Sequence, residues 1–413
     1  MASPQTRDIT LTALHPGQME IFQALQTGLN TVVCCGRQFG KTKLLSIYLV
    51  TRGASGQRWW WVAPTYKGAN EGWAAMIEEG KKIPGHKIMH SEQTVSFPGG
   101  GSIAIRSGDK PDDLRGPALN GLVLEEAAFF GSGYIWTVLN PTLLVKQGQA
   151  VFISTPNGMN HFYDWYQWGN PASPARLPGW QSLHRPTAAN PMINPVYLEA
   201  LRHTETADRF RQEYLAEFVE DGAGVFRGVD DAATAVPQTR RNEQHSYVIG
   251  VDWGKVNDFS VFAVGDANTG ELVRLVRSNQ IDYMTQVHRL HQLAIEFNNP
   301  PILAETNGME GVIEMVRAKD MKVIAWTATN ASKQTVINDL QVAFEQQRIR
   351  ILPDSVLLDE LKRYTAERLP SGLIRYSAPE GHHDDTVMAL ALMWQAMTDS
   401  RRVPIQAYAV RYL

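Results

Sequence analysis

A chain of 413 residues exceeds what one hydrophobic core usually organises, so we expect two domains. With 44% hydrophobic residues, 20% charged residues and a net charge of −3, the composition is that of a globular protein without a general basic surface, and any contact with nucleic acid must be local. No apolar run approaches the roughly 18 residues of a membrane span, and the start MASPQTRDIT lacks a signal peptide's apolar core. We therefore expect residence in the cytosol and no membrane partner.

The two cysteines of the chain, Cys34 and Cys35, are adjacent and end an apolar run. This placement argues against a disulfide framework and against a thiolate metal site. It fits a reducing compartment.

The first half of the chain alternates predicted helices and strands. A helix over HPGQMEIFQALQ precedes the apolar strand NTVVCCG, and a helix over KTKLLSIYLVTRG, closed by Gly53, precedes the buried strand QRWWWVAPT. Further strands are predicted over SIAIRSG, GLVLEEA and QAVFISTP. This alternation predicts an α/β fold with an open, mostly parallel sheet and helices on both faces.

The second half is predicted to form another α/β domain. One polar helix over VYLEALRHTETADRFRQEYLAEFVE ends the first domain, and weak periodicity over 221–246 indicates a linker between domains at 1–220 and 247–413. The second domain begins with a meander of three strands. Two helix–strand pairs and a final helix over DDTVMALALMWQAM follow.

The stretch CGRQFGKT, between a predicted strand and a predicted helix, has the pattern of a phosphate-binding loop. Such a loop needs flexible backbone, a lysine that reaches the outer phosphates and a hydroxyl that binds Mg²⁺. Cys35 stands where the pattern begins with glycine, and the next residue can supply the turn. A glycine-rich turn with a surface lysine is the alternative. The predicted nucleotide-binding residues of the loop are Gly36, Arg37, Gln38, Gly40, Lys41 and Thr42, with Arg37 placed to meet phosphate oxygens.

The strand GLVLEEA supplies the acidic half of such a site. Glu125 is predicted to stand on the metal side and Glu126 to activate the attacking water. The alternative is a strand that runs into a solvated acidic turn. Together, the loop and the acidic strand predict a site that hydrolyses ATP with Mg²⁺.

Three further segments fit an ATPase. The amide of Gln18 is predicted to read the adenine edge, the alternative being a solvent-facing helical glutamine. Arg115, in a loop before the acidic strand, is predicted to be an arginine finger offered to a neighbouring subunit, the alternative being a surface salt bridge. Ser154–Pro156 end the next strand, where they can sense the γ-phosphate.

The second half carries acids suited to two-metal hydrolysis of a phosphodiester, which needs three or four converging carboxylates and two Mg²⁺ or Mn²⁺ ions. Asp252 is predicted to lie mid-strand within the apolar run of VIGVDWG, where an unpaired charge is costly to bury, so it needs a cation. An Asp pair before an apolar helix is also favoured for helix capping alone. Glu305 is predicted to end the strand of PPILAETNG, and the acidic pair is predicted to begin the final helix. The predicted metal ligands are Asp252, Asp258, Glu305, Asp384 and Asp385, and the last two stay open as alternatives.

The order of these acids resembles the ribonuclease H-like nuclease fold. The motifs GRQFGKT, APTYKGA, DDLRG, VLEEAA, STPNG, GVDWG, ETNG and HHDDTVMALAL, in this order, resemble the large terminase subunits of tailed bacteriophages over nearly the whole chain. The resemblance implies a P-loop packaging ATPase domain followed by a ribonuclease H-like nuclease domain. Catalytic roles are implied for Glu126, Arg115, Asp252, Glu305 and Asp384, and a metal-side role for Thr42 and Glu125. Glu125 replaces the aspartate of many relatives, and its longer side chain alters the Mg²⁺ geometry.

The same resemblance implies the partners. The family pumps double-stranded DNA into a procapsid and cuts it, working as a ring of five subunits on the portal protein with the small terminase subunit. The implied location is the host cytoplasm, with docking on the procapsid. A helicase-nuclease of DNA repair and a non-catalytic relic of both folds are the alternatives. Candidate DNA contacts are Arg240, Arg241, Lys255 and Lys333.

Overall fold

The computed structural model describes residues 9–220, 224–254, 259–368, 374–379 and 382–401. Contacts divide the chain into two units, each with its own sheet. The α/β class is confirmed. The first unit comprises Met1–Arg202 and Asp208–Asp221, and the second comprises His203–Ala207 and Gly222–Leu413.

The first unit follows the predicted alternation of helices and strands. Its elements are α1 (Pro16–Leu25), β1 (Asn30–Cys35), α2 (Lys41–Ala54), β2 (Arg58–Ala63), α3 (Tyr66–Gly80), β3 (Lys87–Met89), β4 (Thr94–Ser96), β5 (Ser102–Ser107), β6 (Gly121–Glu125), α4 (Tyr134–Leu139), β7 (Gln149–Ser154), α5 (His161–Gly169), β8 (Trp180–Arg185), α6 (Pro195–Leu201) and α7 (Ala207–Glu213).

Eight strands form the sheet of the first unit, in the order β3-β4-β5-β2-β6-β7-β1-β8. The six strands from β5 to β8 in that order are parallel, and β3 and β4 add an antiparallel edge. The predicted mostly parallel sheet is thus confirmed. The short hairpin β3–β4 and the half-exposed edge strand β8 were not predicted, because neither has a continuous apolar run.

The sheet is covered on both faces. Trp59 and Trp61 of β2 pack into the core beneath α1, α2 and α3, whereas Trp60 packs into the core beneath α4 and α5. This division follows from the alternation of side chains along a strand. Because β6, β7 and β1 are parallel neighbours, their carboxyl ends meet at one edge of the sheet.

The prediction of one long polar helix after residue 195 is wrong. The segment forms two short helices, α6 and α7, separated by residues 202–206. None of the residues of α6 is buried, so no apolar stripe holds a continuous helix against the core.

The second unit contains more elements than were predicted. They are α8 (Val229–Ala232), β9 (Tyr247–Asp252), β10 (Ser260–Asp266), β11 (Glu271–Ser278), α9 (Tyr283–Glu296), β12 (Ile302–Glu305), α10 (Glu310–Arg317), β13 (Val323–Trp326), α11 (Asn330–Glu345), α12 (Ser355–Arg363), β14 (Thr365–Arg368), β15 (Ile374–Ser377) and α13 (Asp385–Arg401).

Five of these strands form a mixed sheet in the order β11-β10-β9-β12-β13. The predicted meander β9–β11 is antiparallel, and β9, β12 and β13 are parallel. Helices α11, α12 and α13 cover one face, and α9 and α10 cover the other. Val225, Phe226 and Val229, which lie before β9, belong to the core under α13.

The final helix α13 packs closely on β9. A Cβ added at Gly250 would lie 2.2 Å from the carbonyl oxygen of Ala389, so only glycine permits this approach. The close contact positions the start of α13 beside the end of β9. Within the described ranges, none of the helices combines the length and the hydrophobicity of a membrane span.

Candidate functional site

The predicted phosphate loop connects β1 to α2. Cys35 is the last residue of β1 and is completely buried, so it belongs to the sheet and not to the turn. A Cβ at Gly36 would lie 2.4 Å from the hydroxyl oxygen of Thr187, which requires glycine there. Gly40 has a left-handed backbone (φ 93°), and α2 begins at Lys41 directly after it. The pattern therefore begins with cysteine instead of glycine because β1 extends to Cys35 and the turn begins at Gly36.

The buried Lys41 side chain joins groups from three segments. Its ammonium donates to the Thr155 hydroxyl at 3.1 Å and lies 3.1 Å from Glu126 Oε1. Burial alone would lower the pKa of Lys41, but the Glu126 carboxylate holds this pKa above its ordinary value. Glu126 also accepts from the Ser154 hydroxyl at 3.3 Å and has a left-handed backbone (φ 48°). The lysine is thus kept charged next to the predicted water-activating carboxylate.

The carboxylate of Glu125 is held on both sides. Its Oε1 accepts from the Thr42 hydroxyl at 2.6 Å, and its Oε2 accepts from the indole N–H of Trp61 at 2.9 Å. Burial is the main cause that raises the pKa of Glu125 to about 7, and the neighbouring Glu126 adds to it. Thr42 and Glu125 are hard oxygen donors brought together at the strand ends, which fits a Mg²⁺ ion bound with nucleotide.

Gln18 lies behind the phosphate loop. It is only 4% exposed, so the alternative of a solvent-facing glutamine is wrong. Its Nε2 donates to the carbonyl of Gly40 at 2.9 Å, and its Oε1 accepts from the backbone N–H of His15 at 3.0 Å. The side chain therefore ties α1 to the loop.

Arg37 and Gln38 form the exposed part of the loop. The Arg37 guanidinium lies 3.4 Å from the Glu213 carboxylate, and its side chain is 59% exposed. Gln38 has a left-handed backbone (φ 59°), and its carbonyl accepts from Asn190 at 2.8 Å. Both residues are accessible to a ligand, and their contact with phosphate stays a prediction.

Arg115 follows a short 3-10 turn on the surface of the first unit. Its guanidinium lies 2.9 Å from Asp112 Oδ1, and the Tyr134 hydroxyl donates to the same oxygen at 2.9 Å. The side chain is 67% exposed. The structure therefore contains the surface ion pair and leaves the guanidinium accessible from outside.

In the second unit, the predicted acids lie where two strands end and one helix begins. Asp252 is the last residue of β9, so the prediction of a mid-strand position is wrong, and it is half-buried. β12 ends at Glu305, as predicted, and α13 begins at Asp385 directly after Asp384. Because β9 and β12 are parallel neighbours, their two acids project from one edge of the sheet.

These acids repel one another. Burial is the main cause that raises the pKa of Asp252 well above its ordinary value, and Glu305, Asp385 and Asp384 raise it further. Burial likewise raises the pKa of Asp385 to about 6. Repulsion between oxygen ligands, which Lys333 offsets only in part, fits a site that accepts divalent cations, because a cation removes the cause of the repulsion.

Two neighbours contact the acidic pair at the start of α13, and a third fixes the residue that follows it. The ammonium of Lys333 lies 2.9 Å from Asp384 Oδ2, and Asp385 Oδ2 accepts from the backbone N–H of Phe259 at 3.3 Å. The buried Glu360 accepts from the backbone N–H of Thr386 at 2.9 Å. The acids are thus engaged with protein groups.

Some predicted residues cannot be placed. Asp258 and Lys255 lie outside the described residues. Of the other candidate DNA contacts, Arg240 is exposed and Arg241 is half-buried. Among the residues that the structure describes, no three His, Cys, Asp or Glu side chains converge on one metal position. The cluster is recognised by its strand-end positions and its repulsion, and not by closed coordination.

Two residues at these sites were not predicted from the sequence. Trp61 was assigned only to a buried strand, and Glu360 had no role. Neither residue carries a motif, because each contacts its partner across the fold: Trp61 and Glu125 are 64 positions apart. If β2 had been placed next to β6, the contact between Trp61 and Glu125 could have been predicted, since Glu125 ends β6.

Comparisons with known proteins agree with both halves. Residues 33–230 match the family model described as the N-terminal part of the T4-like type of terminase large subunit, and residues 249–396 match the terminase RNaseH-like domain. The large terminase subunit of Thermus virus P23-45 is 30% identical, with 95% of this chain and 89% of that protein covered. The large terminase subunit of Escherichia phage T5 is 28% identical over 49% of this chain and 48% of its own length.

A solved structure supports the fold. The large terminase of a thermophilic bacteriophage superposes with a TM-score of 0.53 at 15% identity, covering 94% of this chain and 99% of that one. At this identity the likeness concerns the fold alone. The family is established by the sequence match to the P23-45 protein over nearly both full lengths: the chain belongs to the large terminase subunits of bacteriophages.

Proposed function

We propose that this large terminase subunit hydrolyses ATP at the strand ends of its first unit and cleaves DNA at the acidic cluster of its second unit. Proteins of this family package viral DNA with these two activities. The observation that carries the assignment is the pair of contacts at the phosphate loop, Lys41 to Glu126 and Thr42 to Glu125, at the carboxyl ends of neighbouring strands. The repair helicase-nuclease is not favoured.

In the ATPase site, Lys41 and Thr42 meet the phosphates and Glu125 stands on the metal side. Mg²⁺ bound by Thr42 and Glu125 supplies charge neutralisation for the phosphates. Without nucleotide, the Lys41 ammonium contacts both Glu126 and Thr155. When ATP binds, its outer phosphates would attract this ammonium away from Glu126. The Glu126 carboxylate would then be available to orient and deprotonate the attacking water. Thr155, which directly follows β7, would contact the γ-phosphate and so couple its presence to the position of the segment after β7. Gln18 holds the loop from behind through its bond to Gly40, and its contact with the adenine edge remains a proposal.

In the nuclease site, Asp252, Glu305 and the Asp384–Asp385 pair are the proposed ligands of two divalent cations, Mg²⁺ or Mn²⁺. Such ions supply an activated water and stabilise the leaving oxygen of the DNA strand. The role of the chain is to gather the carboxylates and to fix the start of α13 through Glu360. Asp258 remains a proposed accessory ligand.

The proposed partners follow from the exposed groups and from the family. Arg115 is accessible at the surface, which suits a finger that completes the site of a neighbouring subunit in a ring of five. The ring is proposed to dock on the portal protein of a procapsid in the host cytoplasm, with the small terminase subunit presenting double-stranded DNA.

The test is a crossed pair of variants. Glu126→Gln is expected to bind ATP and hydrolyse it slowly while still cutting plasmid DNA with Mn²⁺, because only the water-activating group is changed. Asp252→Ala is expected to keep ATP turnover and lose plasmid cleavage. Turnover, nucleotide binding and cleavage are measured on the same full-length preparations.

Equal loss of both activities in both variants would contradict the assignment of two separate sites. Unchanged activities in both would support the relic alternative. Stimulation of ATP turnover by empty procapsids, together with ATP-dependent protection of DNA from added nuclease, separates a packaging motor from a helicase-nuclease.

A further inference from the structure

An arginine shares the sheet face of the proposed nuclease acids. Asp252 pairs with Val261 across β9 and β10, and Val261 pairs with Arg277 across β10 and β11. Residues directly opposite one another point to the same face, and neighbouring strands are about 4.8 Å apart. Arg277 therefore stands two strands, or about 10 Å, from Asp252 on the face that α13 covers.

The Arg277 guanidinium is held in place but incompletely bonded. It lies flat against Phe259, with 3.4 Å between its Cζ and the ring centroid. Its nearest acidic atom is Glu360 Oε1 at 3.8 Å, which is too far for a hydrogen bond. Its buried Nε finds no hydrogen-bond partner among the residues that the structure describes. A guanidinium has five N–H donors, and a buried donor without an acceptor is costly, so the site fits an absent acceptor.

A cavity of about 330 Å³ beside this guanidinium has room for such an acceptor. Arg277, Arg363, His382 and His383 supply its cationic and imidazole groups. Its acids already have partners: Glu360 accepts from the Thr386 backbone, and Asp359 accepts from Arg363 at 2.7 Å. Arg277 is thus a cation of the wall with a buried donor that has no partner among the described residues.

The cavity is physically joined to the acidic cluster. The backbone N–H of Phe259, the residue under Arg277, donates to Asp385 Oδ2. His383 Nδ1 lies 3.8 Å from the same carboxylate oxygen, and its ring packs edge-on against Phe259. A ligand in the cavity therefore lies directly next to the proposed nuclease site.

We propose that this cavity is a subsite for a DNA backbone phosphate next to the one that is cleaved, with Arg277 as its principal ligand. The proposal rests on the nuclease function proposed above. A phosphodiester offers two oxygens that match the fork of a guanidinium, and it carries no base information, as expected for cleavage with little sequence preference. Binding there fixes the strand so that the next phosphate reaches Asp252. Arg277 is thus a positioning residue of the DNA strand.

The test uses Arg277→Gln in the full-length chain with the additional change Asp252→Asn, which prevents cleavage. Binding of a short fluorescent duplex is measured with Mg²⁺ over a series of salt concentrations. We expect about tenfold weaker binding, because a hydrogen-bonded charge contact is lost. The slope of log affinity against log salt is expected to be shallower by about 0.9, the value for one phosphate contact in duplex DNA.

The matched control is Arg274→Gln. Arg274 lies on the same strand, β11, but three positions away and therefore on the opposite face, where it pairs with Val264. It should leave affinity and salt slope unchanged. Arg277→Lys keeps the charge but loses the fork, so it should retain the slope and bind more weakly.

The outcomes separate this proposal from the nuclease assignment. If Arg277→Gln equals Arg274→Gln in affinity and slope, the subsite is refuted even though the parent chain cuts DNA. If the single variant Asp252→Asn still cuts, the nuclease assignment itself fails. A purely structural role of Arg277 would lower the thermal midpoint without changing the salt slope, and this result would also overturn the subsite.

Discussion

The two acidic sites of this chain differ in how their charges are balanced. In the first unit, Glu126 pairs with Lys41, and Glu125 is bonded on both oxygens by Thr42 and Trp61. In the second unit, burial and the neighbouring acids Glu305, Asp385 and Asp384 raise the pKa of Asp252, and Lys333 is the cation that touches Asp384. Both carboxylates of the first site have protein partners and one acidic neighbour each, whereas three further acids raise the pKa of Asp252 in the second.

This difference indicates two ways to build a phosphate-chemistry site. The proposed ATPase residues are arranged before ligand arrives, which limits the reorganisation needed during repeated turnover. The proposed nuclease acids are held near each other at the expense of stability, and divalent cations bound there would relieve that repulsion. The four predictions below test this comparison, beginning with the largest expected effect.

The first prediction concerns another paired charge of the first unit. Arg115→Ala is expected to lower ATP turnover in the procapsid-stimulated assay by about 10³-fold, as for a lost arginine finger. Nucleotide binding by the isolated subunit should not change, because the finger acts on a neighbour. Asp112→Ala is the control, because it removes the ion-pair partner of Arg115 and leaves the arginine itself unchanged. Similar turnover in the two variants would reduce Arg115 to a surface ion pair.

The second prediction uses the raised pKa of Glu125. Its pKa is about 7 in the folded chain against an ordinary 4.5, so the folded protein keeps a proton that the unfolded chain loses. The stability of the metal-free protein should therefore fall as pH rises from 4.5 to about 7. The contribution is at most about 3.5 kcal/mol, since one pKa unit corresponds to about 1.4 kcal/mol.

Glu125→Gln should flatten this part of the curve of thermal midpoint against pH. The exposed Glu78→Gln on α3 serves as the control and should leave the curve unchanged. If Glu125→Gln gave the same curve as the parent chain, the Glu125 carboxylate would be ionised in the folded chain, with its charge stabilised by protein groups.

The third prediction concerns the Trp61 indole. Trp61→Phe keeps the ring but removes the N–H that orients Glu125, and it should lower ATP turnover about tenfold, as for other residues that orient a metal ligand. The Mg²⁺ concentration for half-maximal nucleotide binding should rise as well. Trp59→Phe is the matched control, since Trp59 is equally buried and its indole bonds Gln57. Equal behaviour of the two variants would remove the orienting role.

The fourth prediction concerns Lys333, the cation beside Asp384 in the proposed nuclease site. Lys333→Met removes the ammonium beside Asp384, which should lower the thermal midpoint of the metal-free protein by about 2–4 °C, corresponding to roughly 1 kcal/mol. The increase in midpoint on adding Mn²⁺ should become larger, because more repulsion is left for the cation to relieve. The exposed Lys322→Met is the control. A smaller Mn²⁺ effect would indicate that Lys333 supports metal binding.

Much of the fold could be read from local patterns. The strands that end at Cys35, Glu125 and Glu305 were predicted because their apolar runs stop at polar or glycine residues. The edge strand β8 and the hairpins β3–β4 and β14–β15 lack such runs and were missed. The predicted long helix failed because its middle has no apolar stripe, so tertiary contacts decide where helix forms.

The sequence by itself provided the candidate residues for the chemistry, because the phosphate loop and the strand-end acids are local patterns. Only the tertiary structure decided how their charges are balanced. Trp61 reaches Glu125 because β2 lies beside β6, and Lys333 reaches Asp384 because α11 packs near the start of α13. Strand order and helix packing depend on the burial of whole faces, which no short stretch of sequence records.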